Sequence, residues 1–235
     1  MKNSDILLKL ESITEAEELL ARAAAEFDQH LLLASSLSVE DQVLTHMFLN
    51  ITQKPRIFVL DTGRLPQETY DTMEKTMIKY GITYEVCTPP QDKLMSLLTE
   101  KGPNSFYHSV ENRKECCFIR KVIPLQEKLK TGQAWMTGLR QEQSPQRNLV
   151  PMVEWDTPHD MIKLNPLAHW TTEKVWDYIK KNSIPYNLLH DKGYPSIGCA
   201  PCTRAIKSGA PMRSGRWWWE DPTHKECGLH TGTRS

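Results

Sequence analysis

The sequence holds six cysteines, and their spacing is the first feature that could carry chemistry. Cys199 and Cys202 form a C-x-x-C, which brings both sulfurs to one metal centre from a tight turn and serves equally well as a redox dithiol. Cys116 and Cys117 are adjacent. Neighbouring side chains normally diverge, so both can ligate only where the backbone bends or where the bound object is wide. An iron–sulfur cube offers several irons and is wide, whereas a lone zinc prefers two spaced pairs. Four such thiols point to an all-cysteine metal site, with [4Fe-4S] favoured over zinc. The plainer alternative, buried thiols plus a disulfide, fits poorly with a chain that shows no export signal. Cys227 stands apart, beside His224, Lys225 and His230 and shortly after Arg213 and Arg216. Cationic neighbours raise the thiolate fraction and suit a nucleophile; a spare terminal thiol is the other reading. Cys87 closes the apolar run Ile82 to Cys87 and reads as a packed core residue.

The elements that must position these groups follow an α/β pattern. The 235 residues can bury a full core in one domain, and 29 basic residues balance 29 acidic ones. No field therefore points to nucleic acid or a membrane, and no apolar run reaches spanning length. With no signal-peptide layout at Met1 to Asp5, a cytoplasmic location is expected. Ser12 and Glu15 read as a capping box for a helix to Phe27. His30 to Ala34 is a buried strand, and Ser38 with Asp41 a second capping box for a helix faced by Val43, Leu44, Met47 and Phe48. A strand, a turn rich in serine and a helix N-terminus make an anion site, although an ordinary capped helix reads the same way. No GxxxxGK[ST] or G-x-G-x-x-G occurs. Arg56 to Leu60 is a second strand ending at Asp61-Thr62-Gly63, followed by a helix from Pro66 to Tyr80. The third strand is Ile82 to Cys87, and Leu94 to Glu100 is helical. Glu111 to Lys130 is a helix bent by Pro124, with Arg120 on a solvated face. Ala134 to Thr137 is a fourth strand. Arg140 and Arg147 lie in the loop after it, where their forked donors suit phosphate or sulfate, or form plain surface charge. Val150 to Trp155 and Met161 to Leu164 pair, and Thr172 to Asn182 is an amphipathic helix. The expected fold is a single α/β domain, a mostly parallel twisted sheet flanked by helices, with ligands at the strand carboxyl ends. Residues 205–235 are expected to be a mobile, loop-rich segment carrying the nucleophile, with Trp217-Trp218-Trp219 packing back onto the domain.

Taken together, these motifs resemble the assimilatory adenylyl-sulfate reductases, the iron–sulfur branch of the phosphoadenylyl-sulfate reductase family. The matching stretches run from Ser35-Ser36-Leu37-Ser38-Val39-Glu40-Asp41 through Leu60-Asp61-Thr62-Gly63-Arg64, Cys116-Cys117-Phe118-Ile119-Arg120-Lys121 and Gly138 to Arg147. They continue through Gly198-Cys199-Ala200-Pro201-Cys202, Gly215-Arg216-Trp217 and Glu226-Cys227-Gly228-Leu229-His230. Leu37 departs from the family, where phenylalanine or a smaller residue is common. The resemblance implies a fold like that of the adenine nucleotide alpha hydrolases and a [4Fe-4S] cluster held by Cys116, Cys117, Cys199 and Cys202. It implies that Cys227 attacks the sulfur of adenylyl sulfate, expelling AMP, and that thioredoxin then releases sulfite. Lys121, Arg147, Arg213 and Arg216 would bind the phosphosulfate. Ser35, Ser38, Glu40 and Asp61 would line the nucleotide pocket, and His230 would sit near the nucleophile. The cluster's role would be electrostatic and structural. The 3′-phosphorylated nucleotide is an alternative substrate, and a homo-oligomer is compatible with the family. The competing readings are an ATP-pyrophosphatase-type adenylating enzyme and a non-enzymatic iron–sulfur or zinc redox sensor.

Overall fold

The computed structural model describes residues 2–221, so Cys227 and His230 lie outside the described residues. Eight α-helices and six strands alternate along the described chain: α1 (Lys2–Glu11), α2 (Ala16–Phe27), β1 (Leu31–Ser35), α3 (Val39–Ile51), β2 (Arg56–Leu60), α4 (Gln67–Tyr80), β3 (Glu85–Cys87), α5 (Gln91–Lys101), α6 (Val110–Cys117), α7 (Ile123–Leu129), β4 (Ala134–Met136), β5 (Val153–Asp156), β6 (Met161–Leu164) and α8 (Thr172–Lys181). The strands form one sheet in the order β3-β2-β1-β4-β6-β5, parallel except for β5, which runs antiparallel to β6. This is the mostly parallel α/β domain expected.

The sheet is buried on both faces, which parallel strands require. Leu31 and Leu33 of β1 face a core completed by Leu19, Leu20, Val43, Leu44 and Val175. Leu32 faces the other way, into a smaller core with Phe58, Trp135, Leu125 and Leu129. Successive β residues alternate faces, so one leucine run supplies both layers. Beyond β1 the chain crosses to β2 on one side, and later returns to β4 on the other. The crossovers diverge there, opening a crevice above the β1 carboxyl end.

Three local expectations need correction. Ser12 does not cap α2: its Oγ donates to the Lys9 carbonyl and closes α1, an unforeseen helix. Ser38 is the N-cap of α3 but makes no side-chain cap bond, and the carboxyl of Asp41, its supposed partner, is engaged by Ser36 instead. The helix read as Glu111 to Lys130 is three pieces, with a π-helical turn at Phe118–Val122 between α6 and α7. Pro124 has no N–H to give the Arg120 carbonyl four residues back, so the ladder widens just ahead of it. Among the described residues no helix is long and apolar enough to cross a membrane.

Candidate functional site

A cavity lies at the carboxyl ends of β1, β2 and β4. The turn Ser35-Ser36-Leu37-Ser38 forms one wall. Asp41 organises that wall. The Ser36 N–H and hydroxyl donate to its Oδ2 at 2.7 and 2.5 Å, and the Gly138 N–H donates to its Oδ1 at 3.1 Å. One carboxyl thus ties the turn after β1 to the loop after β4. Burial pushes its pKa from 3.8 up to about 6, against the lowering effect of the Ser36 bonds. A Cβ on residue 138 would sit 2.4 Å from Asp41 Oδ1, so glycine is needed there. Leu37 adopts a left-handed φ of +61° with its side chain 1% exposed. That conformation costs about 1–2 kcal/mol in a non-glycine residue. Burying a leucine offsets it by about 1.5–3 kcal/mol.

Glu40 lines the cavity, yet its Oε1 accepts from Arg140 Nε at 3.0 Å and Gln143 Nε2 at 3.1 Å. Arg140 is neither an anion ligand nor surface charge. It is 1% exposed and also donates to the Trp170 carbonyl, Glu142 and Thr172. Gln143 Oε1 accepts from Arg147 Nη1 at 2.6 Å, which steadies a guanidinium that does line the cavity. Lys121, Arg213 and Arg216 line it too. Asp61 does not. Its Oδ1 accepts from the Gly63 N–H and the Tyr70 hydroxyl, both at 2.8 Å, while Leu60 and Thr62 beside it reach the cavity.

Next to this cavity, Cys116, Cys117, Cys199 and Cys202 line one small space together with Arg64, Arg120 and Lys121. Lys121 is therefore shared by the two cavities. Cys116 and Cys117 come from the last turn of α6, where the helix begins to widen, and Cys199 and Cys202 from the C-terminal loop. Among the described residues no three histidine, cysteine or carboxylate groups converge as a single metal ion needs. The four cysteines share one cavity. Burial pushes the Cys202 thiol up to about 12, with the neighbouring Cys199 adding to the rise, and burial also raises Cys116. The expectation that Arg120 lies on a solvated face is overturned: it is 5% exposed, and its Nη1 donates to the Thr62 carbonyl at 2.6 Å. Thr62 Oγ1 in turn meets Cys199 Sγ at 3.3 Å.

The segment after the cysteines packs over both cavities. Trp217 is buried beside Cys199 and Cys202, and its backbone N–H donates to the Cys202 carbonyl at 3.1 Å. Arg113 and Arg216 stack over its ring at 4.6 and 4.8 Å. Arg113 is bidentate to Glu220, at 2.9 and 2.7 Å, in a pair buried on both sides. Arg216 Nη1 donates to the Ile197 carbonyl at 3.2 Å, and a Cβ on Gly198 would lie 2.3 Å from its Nη2. The structure therefore brings together the four cysteines, and separately Ser35, Ser38, Glu40, Lys121, Arg147, Arg213 and Arg216, with Asp61 at the margin. Sequence reasoning missed Arg113, Glu220 and the clamping role of Asp41. Thr62 was visible within Asp61-Thr62-Gly63, but nothing local marked Arg113.

Comparison with known proteins identifies the family. Residues 30–205 match the family model for the phosphoadenosine phosphosulfate reductase domain. An adenosine 5′-phosphosulfate reductase of Allochromatium vinosum is 47% identical over 215 residues, covering 92% of this chain and 84% of the relative. One from Burkholderia cepacia is 46% identical over 221 residues, covering 94% and 88%. A phosphoadenylyl-sulfate reductase from Candida auris, solved as a phosphate complex, superposes with a TM-score of 0.70 at 26% identity, covering 86% of this chain and 95% of that one.

Proposed function

Because the chain belongs to the phosphoadenosine phosphosulfate reductase family, we propose that it reduces adenylyl sulfate to sulfite and AMP, with thioredoxin supplying the electrons. The observation that carries this reading is the pairing of a cavity lined by Lys121, Arg147, Arg213 and Arg216 with an adjoining cavity lined by four cysteines, Lys121 being common to both. The serine turn and the first N–H groups of α3 offer donors to an anionic nucleotide, and the helix dipole favours its charge. Three guanidinium groups and an ammonium match the phosphosulfate, where Arg forks hold oxygens bidentately.

In the reaction proposed, the Cys227 thiolate attacks the sulfur of adenylyl sulfate. The S–O bond to the phosphate breaks and AMP departs with the electron pair, leaving a Cys227 S-sulfonate. The cationic side chains stabilise the charge that grows on the departing phosphate. One thioredoxin thiolate then attacks Cys227 Sγ and releases sulfite. Its partner thiol resolves the mixed disulfide, returning the Cys227 thiolate and oxidised thioredoxin. The dithiol supplies both electrons. The expectation of a mobile segment from residue 205 onward does not hold for the described part of it, which Trp217 and the buried Arg113–Glu220 pair fasten to the domain, so Cys227 itself meets its two partners in turn.

Cys116, Cys117, Cys199 and Cys202 would hold a [4Fe-4S] cluster. Four thiols around one space, two of them adjacent in sequence, fit a wide group better than zinc. Bound there, it would supply fixed charge beside Lys121 and a tie between α6 and the C-terminal loop. The test is sulfite release with thioredoxin on adenylyl sulfate and on its 3′-phosphate, using anaerobically purified protein of recorded colour and iron content. Cys227→Ser is expected to release no sulfite while keeping its iron. Colourless, zinc-loaded protein, or an unmodified Cys227 in mass spectrometry after mixing with adenylyl sulfate, would overturn the reading.

A further inference from the structure

The sheet face beneath α7 carries buried polar groups that the proposed reaction leaves unused. Trp135, the middle residue of β4, is 1% exposed and lines the nucleotide cavity beside Phe58 and Leu125. This apolar part of the wall suits a flat base, whereas the serine turn and the arginines suit the anionic part of the ligand. The Trp135 indole N–H donates to Asp156 Oδ2 at 2.9 Å. Asp156 ends β5 opposite Met161, the first residue of β6, so the bond points to the amino-terminal edge of the parallel strands, away from the cavity. The same Asp156 oxygen meets His159 Nδ1 at 2.7 Å. The His159 ring stands edge-on to the indole at 6.0 Å, and Lys163, paired with Glu154 at 2.9 Å, lies 5.4 Å from the indole centroid.

A carboxylate 5% exposed is costly unless its hydrogen bonds are made. Here it is committed to an uncharged indole and steadied by an imidazole. A tilt of the indole would strip the bond from both partners, so the ring plane is fixed from behind. We propose that Asp156, backed by His159, is a positioning residue that holds Trp135 as a rigid wall against the adenine ring of the substrate. The proposal rests on the adenylyl-sulfate reading given above.

The experiment measures AMP affinity by calorimetry and sulfite release at saturating adenylyl sulfate, on anaerobically purified full-length protein. Asp156→Leu is expected to weaken AMP binding by about tenfold, because the indole must then be ordered on binding, and to raise KM with kcat held within about twofold. Asp156→Asn, which keeps an acceptor oxygen, is expected to restore most of the affinity. Trp135→Phe removes the indole N–H, so adding Asp156→Leu to it is expected to cost little more than Trp135→Phe alone. His159→Gln, a milder change, tests the same chain should Asp156→Leu fail to fold, with a smaller rise in KM expected. Unchanged AMP affinity in folded Asp156→Leu or in His159→Gln, fully additive losses in the double variant, or a fall in kcat alone would overturn the proposal. Failure of the wild-type protein to bind AMP would overturn the functional reading and this inference together; normal wild-type turnover with indifferent variants would overturn the inference alone.

Discussion

Gly198 shows how finely the cationic cavity is built. The Arg216 guanidinium passes so close that a single methyl at position 198 would meet it at 2.3 Å, and the guanidinium is already held by the Ile197 carbonyl. Gly198→Ala is therefore predicted to push Arg216 out of position and cut sulfite release by about a hundredfold, the scale of a 1 Å misplacement at a reacting centre. Iron content should stay near that of the wild type, because none of the four cysteines moves; iron and sulfite assays on one preparation check both halves. At this scale much was legible. The four cysteines carry their chemistry in their type and spacing, whereas Lys121, Arg213 and Arg216 were assigned to the cavity only through the family resemblance. Arg120 was misread because a helix face was assumed solvated, and its burial depends on Thr62, brought near only by the fold.

Among the elements, Arg140 joins three that are remote in sequence: it binds Glu40 of α3, sits in the loop after β4, and reaches Thr172 at the start of α8. Removing it leaves Glu40 buried without its charge partner. Arg140→Ala is predicted to lower unfolding stability by about 3–5 kcal/mol. The double change Glu40→Gln with Arg140→Met should lose less, since no unpaired charge remains; urea titrations of both decide it. The strands were readable as elements because each is a short apolar run ending in turn residues, and β2 was placed to the residue. The two capping boxes failed for a physical reason. Serine and acidic residues at capping spacing also serve other bonds, and Asp41 is satisfied by Ser36 and by Gly138, ninety-seven residues away, a partner no local pattern announces. The π-helical turn was foreshadowed by Pro124, but only as a bend.

For the molecule as a whole, the last described stretch is fastened by the buried pair Arg113–Glu220 and by Trp217 beneath Arg113 and Arg216. Glu220→Ala strips the carboxylate from a buried guanidinium. It is predicted to raise amide hydrogen exchange through residues 205–221 while leaving β1 and β2 protected. Sulfite release should fall by about tenfold or more, since the side chains of Arg213 and Arg216 depend on that stretch. Equal loss of protection across the whole sheet would show global unfolding instead. The parallel sheet and its open crevice could be anticipated from strands alternating with helices, whereas this fastening could not, because Arg113 and Glu220 stand 107 residues apart. That separation has a consequence for biosynthesis. All six described strands leave the ribosome before Trp217 and Glu220 do, so a nascent chain can complete its sheet before Arg113 meets Glu220. Translation that stalls in this interval would leave a stable-looking but incompetent product, its anion cavity unroofed and its guanidinium groups open to unrelated polyanions.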